Sequence, residues 1–486
     1  MNECDDHWWT MTSERGVKQE ISTIVGKENF LTEPEDLIAY SYDATGIEYL
    51  PWGVALPGSA REVAGLMRLA DRERFPVIPR GAGSGMTGGA LPVRSGLVLT
   101  LTRMNHILTI DEENMIAVAE PGVVTGDLQR EVEKRSLFYP PDPSSVSFST
   151  IGGNVAECSG GMRAVKYGVT KDYVIGLEAV LPNGDILKTG VQTAKGVVGY
   201  DLTKLLVGSE GTLAVITKAV LRLLPLPEAK RTMTAVFDSM DDAAVSVSRI
   251  MSARIIPSCL EYMDQGSIRC VEEYLKQGLP TDAGALLLIE VDGMEEDVAR
   301  SARKIEEICR DQGARQIRIA QNAREEGDLW KARRSISPAL YRIRPHKISE
   351  DITVPRSRLP LVVKELNALK QRYGLPLVTF GHAGDGNIHV NIMLDKEVPE
   401  QMRAAKALVE EVFTLAIKAG GTLSGEHGVG ITKAPFLGME IDTLGIEVMK
   451  RIKKAFDPKG ILNPGKIFVD EQKSEYLERV FPKAGA

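Results

Sequence analysis

Apolar residues recur at helical spacing over residues 60–70, so the chain beyond Pro57 predicts an amphipathic helix, and residues 76–79 then read as a short buried strand. Past a glycine-rich stretch, residues 96–101, 107–111 and 115–120 read as further strands, with a helix over 126–134. A second strand-rich block covers 174–181, 185–188 and 212–223, and Asn183-Gly184 supplies a hairpin turn within it. Pro225-Leu226-Pro227 closes that block and predicts a domain boundary. Beyond it, helices such as 298–311 alternate with strands such as 285–291 and 315–320, and a helix over 446–456 precedes Asp457-Pro458 and Asn463-Pro464. The alternation is irregular, which predicts an α+β chain rather than a βαβ repeat; there is no internal repeat and no low-complexity tract.

Composition changes this picture in three ways. A chain of 486 residues is too long for one typical core, so two or more domains are expected. Lys plus Arg number 59 against 66 for Asp plus Glu, and the net charge of -7 gives no general attraction for nucleic acid or an anionic membrane, so an anionic substrate must be met by locally placed charge. The five cysteines, Cys4, Cys158, Cys259, Cys270 and Cys309, are scattered without a Cys-x-x-Cys pair. That argues against a disulfide framework, a zinc ribbon and an iron–sulfur centre, and a cytoplasmic setting is expected. The N-terminus, residues 1–16, lacks the basic start and apolar run of a signal peptide, and no stretch reaches the roughly 20 apolar residues of a membrane helix. Any membrane association is expected through a partner.

The first candidate chemistry is Pro79-Arg80-Gly81-Ala82-Gly83-Ser84-Gly85-Met86-Thr87-Gly88-Gly89, directly after a strand. A loop so rich in glycine can turn its N–H groups inward around a pyrophosphate. Gly83 to Gly88 also satisfies the dinucleotide G-x-G-x-x-G pattern, but a Rossmann loop must open a helix, whereas Pro92, Gly96 and a strand follow, and the ribose-binding acid is missing. A flexible surface loop is the plain alternative. A second loop, Tyr139-Pro140-Pro141-Asp142-Pro143, leads into Thr150-Ile151-Gly152-Gly153-Asn154 and Cys158-Ser159-Gly160-Gly161; Tyr167-Gly168 and Ser209-Glu210-Gly211-Thr212 continue the theme. Each alone is a turn. Four such loops separated by strands fit a cofactor lying extended across a domain.

The second candidate lies in the C-terminal half. Of six histidines, His382, His389 and His427 fall in glycine-rich segments close together in sequence. Their odd separation would place His382 and His389 on opposite faces of a straight strand, but Asp385-Gly386 predicts a turn between two strands, which removes the conflict. His389 and Asn391 then share one face. In Ser424-Gly425-Glu426-His427-Gly428, glycines flank an acid and a base. Two imidazoles and a carboxylate are a ligand set for zinc or another first-row divalent ion, although a lone histidine is more often structural. Arg333, in Trp330-Lys331-Ala332-Arg333, is weak by itself, because an arginine on an amphipathic helix is usually solvated.

These segments together resemble FAD-linked oxidoreductases of the vanillyl-alcohol oxidase and p-cresol methylhydroxylase superfamily, over nearly the whole chain. The resemblance implies that residues 79–89 hold the FAD pyrophosphate and that Pro140 to Asp142, Ile151 to Gly161, Tyr167, Gly168, Glu210, Gly211, Ile216 and Asn463 line the cofactor. It implies an α+β fold whose two-part, PCMH-type FAD-binding domain is interrupted by an α+β cap: a packing segment at 1–50, the FAD domain at 51–228, the cap at 229–419 and a returning segment at 420–486. Members with covalent flavin often use a histidine at the pyrophosphate loop, and none lies between Val54 and Leu99, so non-covalent FAD is expected.

The histidine motifs resemble the D-2-hydroxy-acid dehydrogenase branch, which includes D-lactate dehydrogenases, the flavin subunit of glycolate oxidase and D-2-hydroxyglutarate dehydrogenase. By that resemblance His382, His389 and Glu426 match metal ligands, Asn391 a substrate contact, His427 the catalytic base and Arg333 a bidentate clamp on the substrate carboxylate. The segment from His346 to Asp351 departs from the lysine-containing pattern of the hydroxyglutarate enzymes, which favours a monocarboxylate such as D-lactate or glycolate. With no iron–sulfur, haem-attachment or nicotinamide pattern in the chain, electrons are expected to leave through a redox partner such as an iron–sulfur subunit or an electron-transferring flavoprotein. The rivals are a nicotinamide dehydrogenase, a metal hydrolase that leaves the glycine loops unexplained, and a non-catalytic FAD-binding subunit.

Overall fold

A computed structural model describes residues 11–468. The reading of the N-terminus therefore falls mostly outside the described residues, as does the chain beyond residue 468.

The helix expected after Pro57 spans Ala60–Glu73. Ser59 Oγ accepts the Glu62 N–H at 3.3 Å while the Glu62 carboxylate accepts the Gly58 N–H at 2.8 Å, a reciprocal cap that fixes its start. The apolar face, with Val63, Leu66 and Met67, is buried in a core shared with Val77, Leu97 and Leu99. Those last residues belong to parallel strands Gly53–Ala55, Leu97–Thr100 and Val77–Arg80, which with antiparallel Phe30–Leu31 make a four-stranded sheet. A five-stranded antiparallel sheet follows, built from Ile107–Asp111, Ile116–Ala119, Val215–Arg222, Val174–Val180 and Ile186–Gly190. Residues 462 and 463 join this half: Leu462 bridges Val77 in parallel, and the Asn463 N–H donates to Val77 O at 2.8 Å.

One stretch read as a loop is a helix, Ile151–Glu157. Thr150 caps it by accepting the Gly153 N–H, and Gly152 is small because a Cβ there would stand 2.5 Å from the Pro121 Cβ. The glycines that looked like turn residues serve close packing instead.

The intervening part is one seven-stranded antiparallel sheet. Its strands are β1 (Ala229–Phe237), β2 (Cys259–Asp264), β3 (Ala285–Gly293), β4 (Gln316–Ile319), β5 (His346–Thr353), β6 (Leu377–His382) and β7 (Asn387–Leu394), in spatial order β4-β1-β3-β2-β6-β7-β5. Leu260, Tyr262, Leu287, Ile289, Ile388 and Val390 face one way, into a core with helices Met240–Ser252, Glu295–Asp311, Leu359–Tyr373 and Pro399–Lys418. The alternate residues, Cys259, Leu288, Val378 and Phe380 among them, face the other way with Trp330 and Ile336. Past Gly420 the chain stays beside this sheet, bridging Thr353 to Thr422 and Asp351 to Ser424, before it turns to the first half.

Candidate active site

Strand register assembles the polar groups. On β6 and β7, Phe380 lies opposite His389, Val378 opposite Asn391 and His382 opposite Asn387. Glu261 on β2 lies opposite His382, while Asp351 and Ser349 on β5 lie opposite His389 and Asn391. Opposed residues project to the same face. The face thus carries Glu261, His382, His389, Asn391 and Asp351 side by side, and the turn at Ala383–Gly386, with Gly386 at φ 88°, reconciles the odd histidine spacing.

Glu426 completes the group from the loop that crosses this face. One ligand atom each from His382, His389 and Glu426 lie within 4.8 Å of one another. His382 Nε2 is 3.0 Å from Glu426 Oε1 and 3.3 Å from His389 Nε2. Two imidazole nitrogens facing each other beside a carboxylate fit a divalent cation, because each offers a lone pair to one point. On its far side His382 Nδ1 is 2.7 Å from Glu261 Oε1, so Glu261 fixes the ring as carboxylates do behind metal-ligating histidines. Burial opposes charge on both rings. In His382 the Glu261 and Glu426 carboxylates overcome it and hold the imidazole well above its usual range, whereas His389, also next to His382, is pushed well below. Glu426 is desolvated too, but the three histidines bring its carboxyl down to about 2.

The loop bearing Glu426 and His427 is held by an acid from each half of the molecule. Asp351 accepts the N–H groups of Gly425, Glu426 and His427 at 3.0, 2.7 and 3.0 Å, and pairs with buried Lys433. Glu210, from the first half, accepts the N–H groups of Val429 and Gly430 at 2.8 and 2.6 Å. The His427 ring stacks on His389 with centroids 5.4 Å apart and planes at 14°. Its Nδ1 is buried without a hydrogen-bond partner, 3.5 Å from Asp351 Oδ1. Desolvation lowers the His427 pKa despite Asp351, so the ring is a neutral base near pH 7.

Arg333 and Asn391 sit in the same wall. Arg333 is 2% exposed, donates from Nε to Glu261 Oε2 at 2.8 Å and lies over the Phe380 ring. Asn391 accepts from Ser349 Oγ at 3.0 Å.

The glycine segments converge on the other side. Gly83 and Gly88 have φ of 69° and 81°, a region side chains avoid, and a Cβ on Gly81 would run into Thr150 Oγ1. Arg80 donates to Tyr42 O at 2.7 Å yet keeps its buried Nη1 without a partner, a free donor beside the loop that fits a phosphate. Gly160 abuts the group of His382, His389 and Glu426, since a Cβ there would stand 2.8 Å from Glu426 Oε1. Asn463 ties two loops by donating to Gly89 O at 3.0 Å and Glu210 O at 2.8 Å. Asp142 meets Arg334 at 3.1 Å and Tyr167 donates to Asp292 at 2.9 Å, so both stand where the two halves join. Cys158, at φ 55°, ends the Ile151–Glu157 helix, and Ile216 is buried within its strand. These residues fit an extended FAD.

Glu261, Asp351 and Lys433 escaped sequence reasoning. A carboxylate inside the otherwise apolar strand Cys259–Met263 was the available signal, because an acid is buried only with partners.

Comparison with known proteins identifies the family. Residues 51–190 match the family model described as FAD binding domain, and residues 226–467 match FAD linked oxidases, C-terminal domain. The chain is 48% identical over 467 residues to glycolate oxidase subunit GlcD of Bacillus subtilis (strain 168), covering 96% of this chain and 99% of that protein. It is 35% identical over 417 residues to a D-lactate dehydrogenase of Anaerostipes hadrus, covering 84% and 88%. The solved structure of p-cresol methylhydroxylase with substrate bound shares the fold, with a TM-score of 0.79 at 19% identity over 95% of this chain and 98% of that one. The chain belongs to the FAD-linked oxidase family, with a PCMH-type FAD-binding fold. Within that family it is an FAD-linked hydroxy-acid oxidoreductase. Among the described residues no helix is long and apolar enough to cross a membrane.

Proposed function

We propose that this protein oxidises a small D-2-hydroxy acid, D-lactate or glycolate, to the 2-oxo acid, using non-covalent FAD and a divalent metal held by His382, His389 and Glu426. The observation that carries the reading is the convergence of those three side chains beside His427. His427, neutral and half-buried, takes the proton of the substrate hydroxyl as the C2–H bond breaks. Asp351 steadies the loop and stabilises the imidazolium that forms. Asn391 and Arg333 orient the substrate, Asn391 through its amide and Arg333 by holding Glu261 against His382. Bound FAD supplies the two-electron acceptor for the C2 hydride. A divalent ion in the trio supplies a Lewis acid for the hydroxyl.

Relatives named as glycolate oxidase subunits support a redox partner that accepts the electrons. Anaerobic mixing of the FAD-loaded protein with a panel of D- and L-2-hydroxy acids tests the reading, with bleaching near ~450 nm as the signal of flavin reduction. D-lactate or glycolate should bleach it; no bleaching by any 2-hydroxy acid overturns the reading. Turnover should be fast with a dye such as dichlorophenolindophenol and slow with oxygen, whereas rapid dye-independent oxygen consumption would remove the partner.

A further inference from the structure

One carboxyl between the glycine loop and the loop of His427 takes no part in the chemistry proposed for His427. Glu157 ends the helix Ile151–Glu157, and its side chain reaches both the loop at 79–89 and the loop at 424–430. A Cβ on Gly89 would stand 2.7 Å from Glu157 Oε1, and one on Gly428 would stand 2.6 Å from Glu157 Oε2. The two oxygens of one carboxyl therefore lie against the backbones of both loops. Oε2 is buried and has no hydrogen-bond partner.

The same point at Gly428 lies 3.0 Å from Glu210 Oε1, so the two carboxyls are neighbours. Two buried carboxyls in such a position hold one negative charge between them rather than two. Burial raises Glu210, but its bonds from the Val429 and Gly430 N–H groups oppose that and favour the charged form. Glu157 has no such support. Burial, then the Glu210 and Asp43 carboxyls, push it well above its ordinary range, against the pull of Lys433 and Lys466. Those lysines are engaged elsewhere, Lys433 with Asp351 and Lys466 with Leu91 O at 2.5 Å. The proton of the pair therefore belongs on Glu157. A buried O–H without an acceptor is costly, and a ligand that brings an oxygen removes the cost. FAD seated in the loop at 79–89 brings pyrophosphate and ribityl oxygens.

We propose that the Glu157 carboxyl carries the proton of this pair and donates it, as an O–H hydrogen bond, to FAD, so that flavin uptake depends on a neutral acid where the two loops meet. This rests on non-covalent FAD held by the loop at 79–89. An ionised Glu157 would set a second negative charge beside Glu210 and against the anionic pyrophosphate. FAD thus favours the protonated acid. Its affinity is constant while Glu157 stays protonated in the flavin-free protein, and falls by about tenfold per pH unit once the pH exceeds the flavin-free value. Lys466, which burial lowers to about 7, loses charge in the same direction, so the part due to Glu157 is the difference between wild type and Glu157→Gln.

The full chain, stripped of flavin, is titrated with FAD from about pH 6 to about pH 9, with quenching of flavin fluorescence as the readout. Wild type should lose affinity as the pH rises. Glu157→Gln keeps a donor of the same shape that carries no charge at any pH. It should bind FAD within about threefold of wild type at the acid end and show a shallower decline, by about one proton per FAD. Glu157→Ala, which removes the donor, should bind about 2- to 10-fold more weakly at the acid end, with the same shallow decline. A flat wild-type profile, or equal declines in wild type and Glu157→Gln, overturns the proposal. Should Glu157→Gln fail to fold, Glu157→Ala carries the same comparison of declines. Bound FAD with equal declines removes only the role of Glu157, whereas a stripped protein that takes up no FAD at any pH removes the non-covalent reading and this proposal with it.

Discussion

The two sides of the site are made by different means. On the FAD-binding side, recognition is mostly backbone: Gly83 and Gly88 adopt positive φ, Gly81 and Gly160 leave no room for a Cβ, and Arg80 offers one free donor. On the cap side it is mostly charge: Glu261, Arg333, His382, Glu426, His389, Asp351 and Lys433 form a chain of ion pairs and facing rings under the loop that carries His427. Backbone cradles tolerate a ligand with little rearrangement of charge. A buried ionic chain has no such latitude, since removal of one member leaves its neighbour charged and unpaired at a cost of about 3–5 kcal/mol. The FAD-binding side should therefore fail locally, by weaker FAD binding, and the cap side cooperatively.

The largest effect is expected where the proposed metal ligands are removed. His382→Ala with His389→Ala should abolish turnover and lose the ion by elemental analysis while the flavin absorbance persists, because those side chains belong to the cap's sheet and not to the glycine loops. Full activity in a preparation shown to be metal-free would break the division between the two sides. Next in size, His427→Ala should slow substrate-driven flavin reduction by about 10²–10⁴-fold with FAD retained, the usual contribution of a general base. An unchanged rate in stopped-flow measurements would remove His427 from the chemistry.

Asp351→Asn sharpens the comparison through stability. It strands Lys433 and weakens the hold on three loop N–H groups, so a loss of about 3–5 kcal/mol is expected, read as a lower melting temperature. Although Asp351 is desolvated, His427 and Lys433 hold its carboxyl below the ordinary range. A carboxyl lowered in the folded state adds stability above its unfolded pKa of about 3.9 and forfeits it as the pH falls through the folded value. Wild type should therefore lose more melting temperature than Asp351→Asn on acidification below about pH 4; parallel profiles would show that Asp351 carries no such term. The smallest effect belongs to the other side. Gly83→Ala imposes a left-handed alanine at about 1–2 kcal/mol and pushes on the Arg80 guanidinium, so FAD affinity should drop roughly tenfold while bound metal stays constant. Loss of metal in that variant would mean that the two sides are not separable.

The sequence by itself determined what is local. Glycine and proline restrict their own backbone, so the segments at 79–89, 139–143 and 424–430 announced themselves, and helical and strand periodicity placed Ala60–Glu73, Glu295–Asp311 and the β6–β7 pair within a few residues. The rarity of histidine, together with the family resemblance, brought His382, His389, Glu426 and His427 forward as a group. Only the tertiary structure decided what lies behind them. Glu261 is more than a hundred residues from His382 in the chain and meets it through strand pairing, and Asp351 reaches the 424–430 loop in the same way. Residues 151–157 read as a loop because their glycines suit turns equally well, and only the fold shows them as a helix with Gly152 packed closely against Pro121. Register and packing are set by the whole sheet and its two cores, and a buried charge acquires its meaning only from the partner that the fold places beside it.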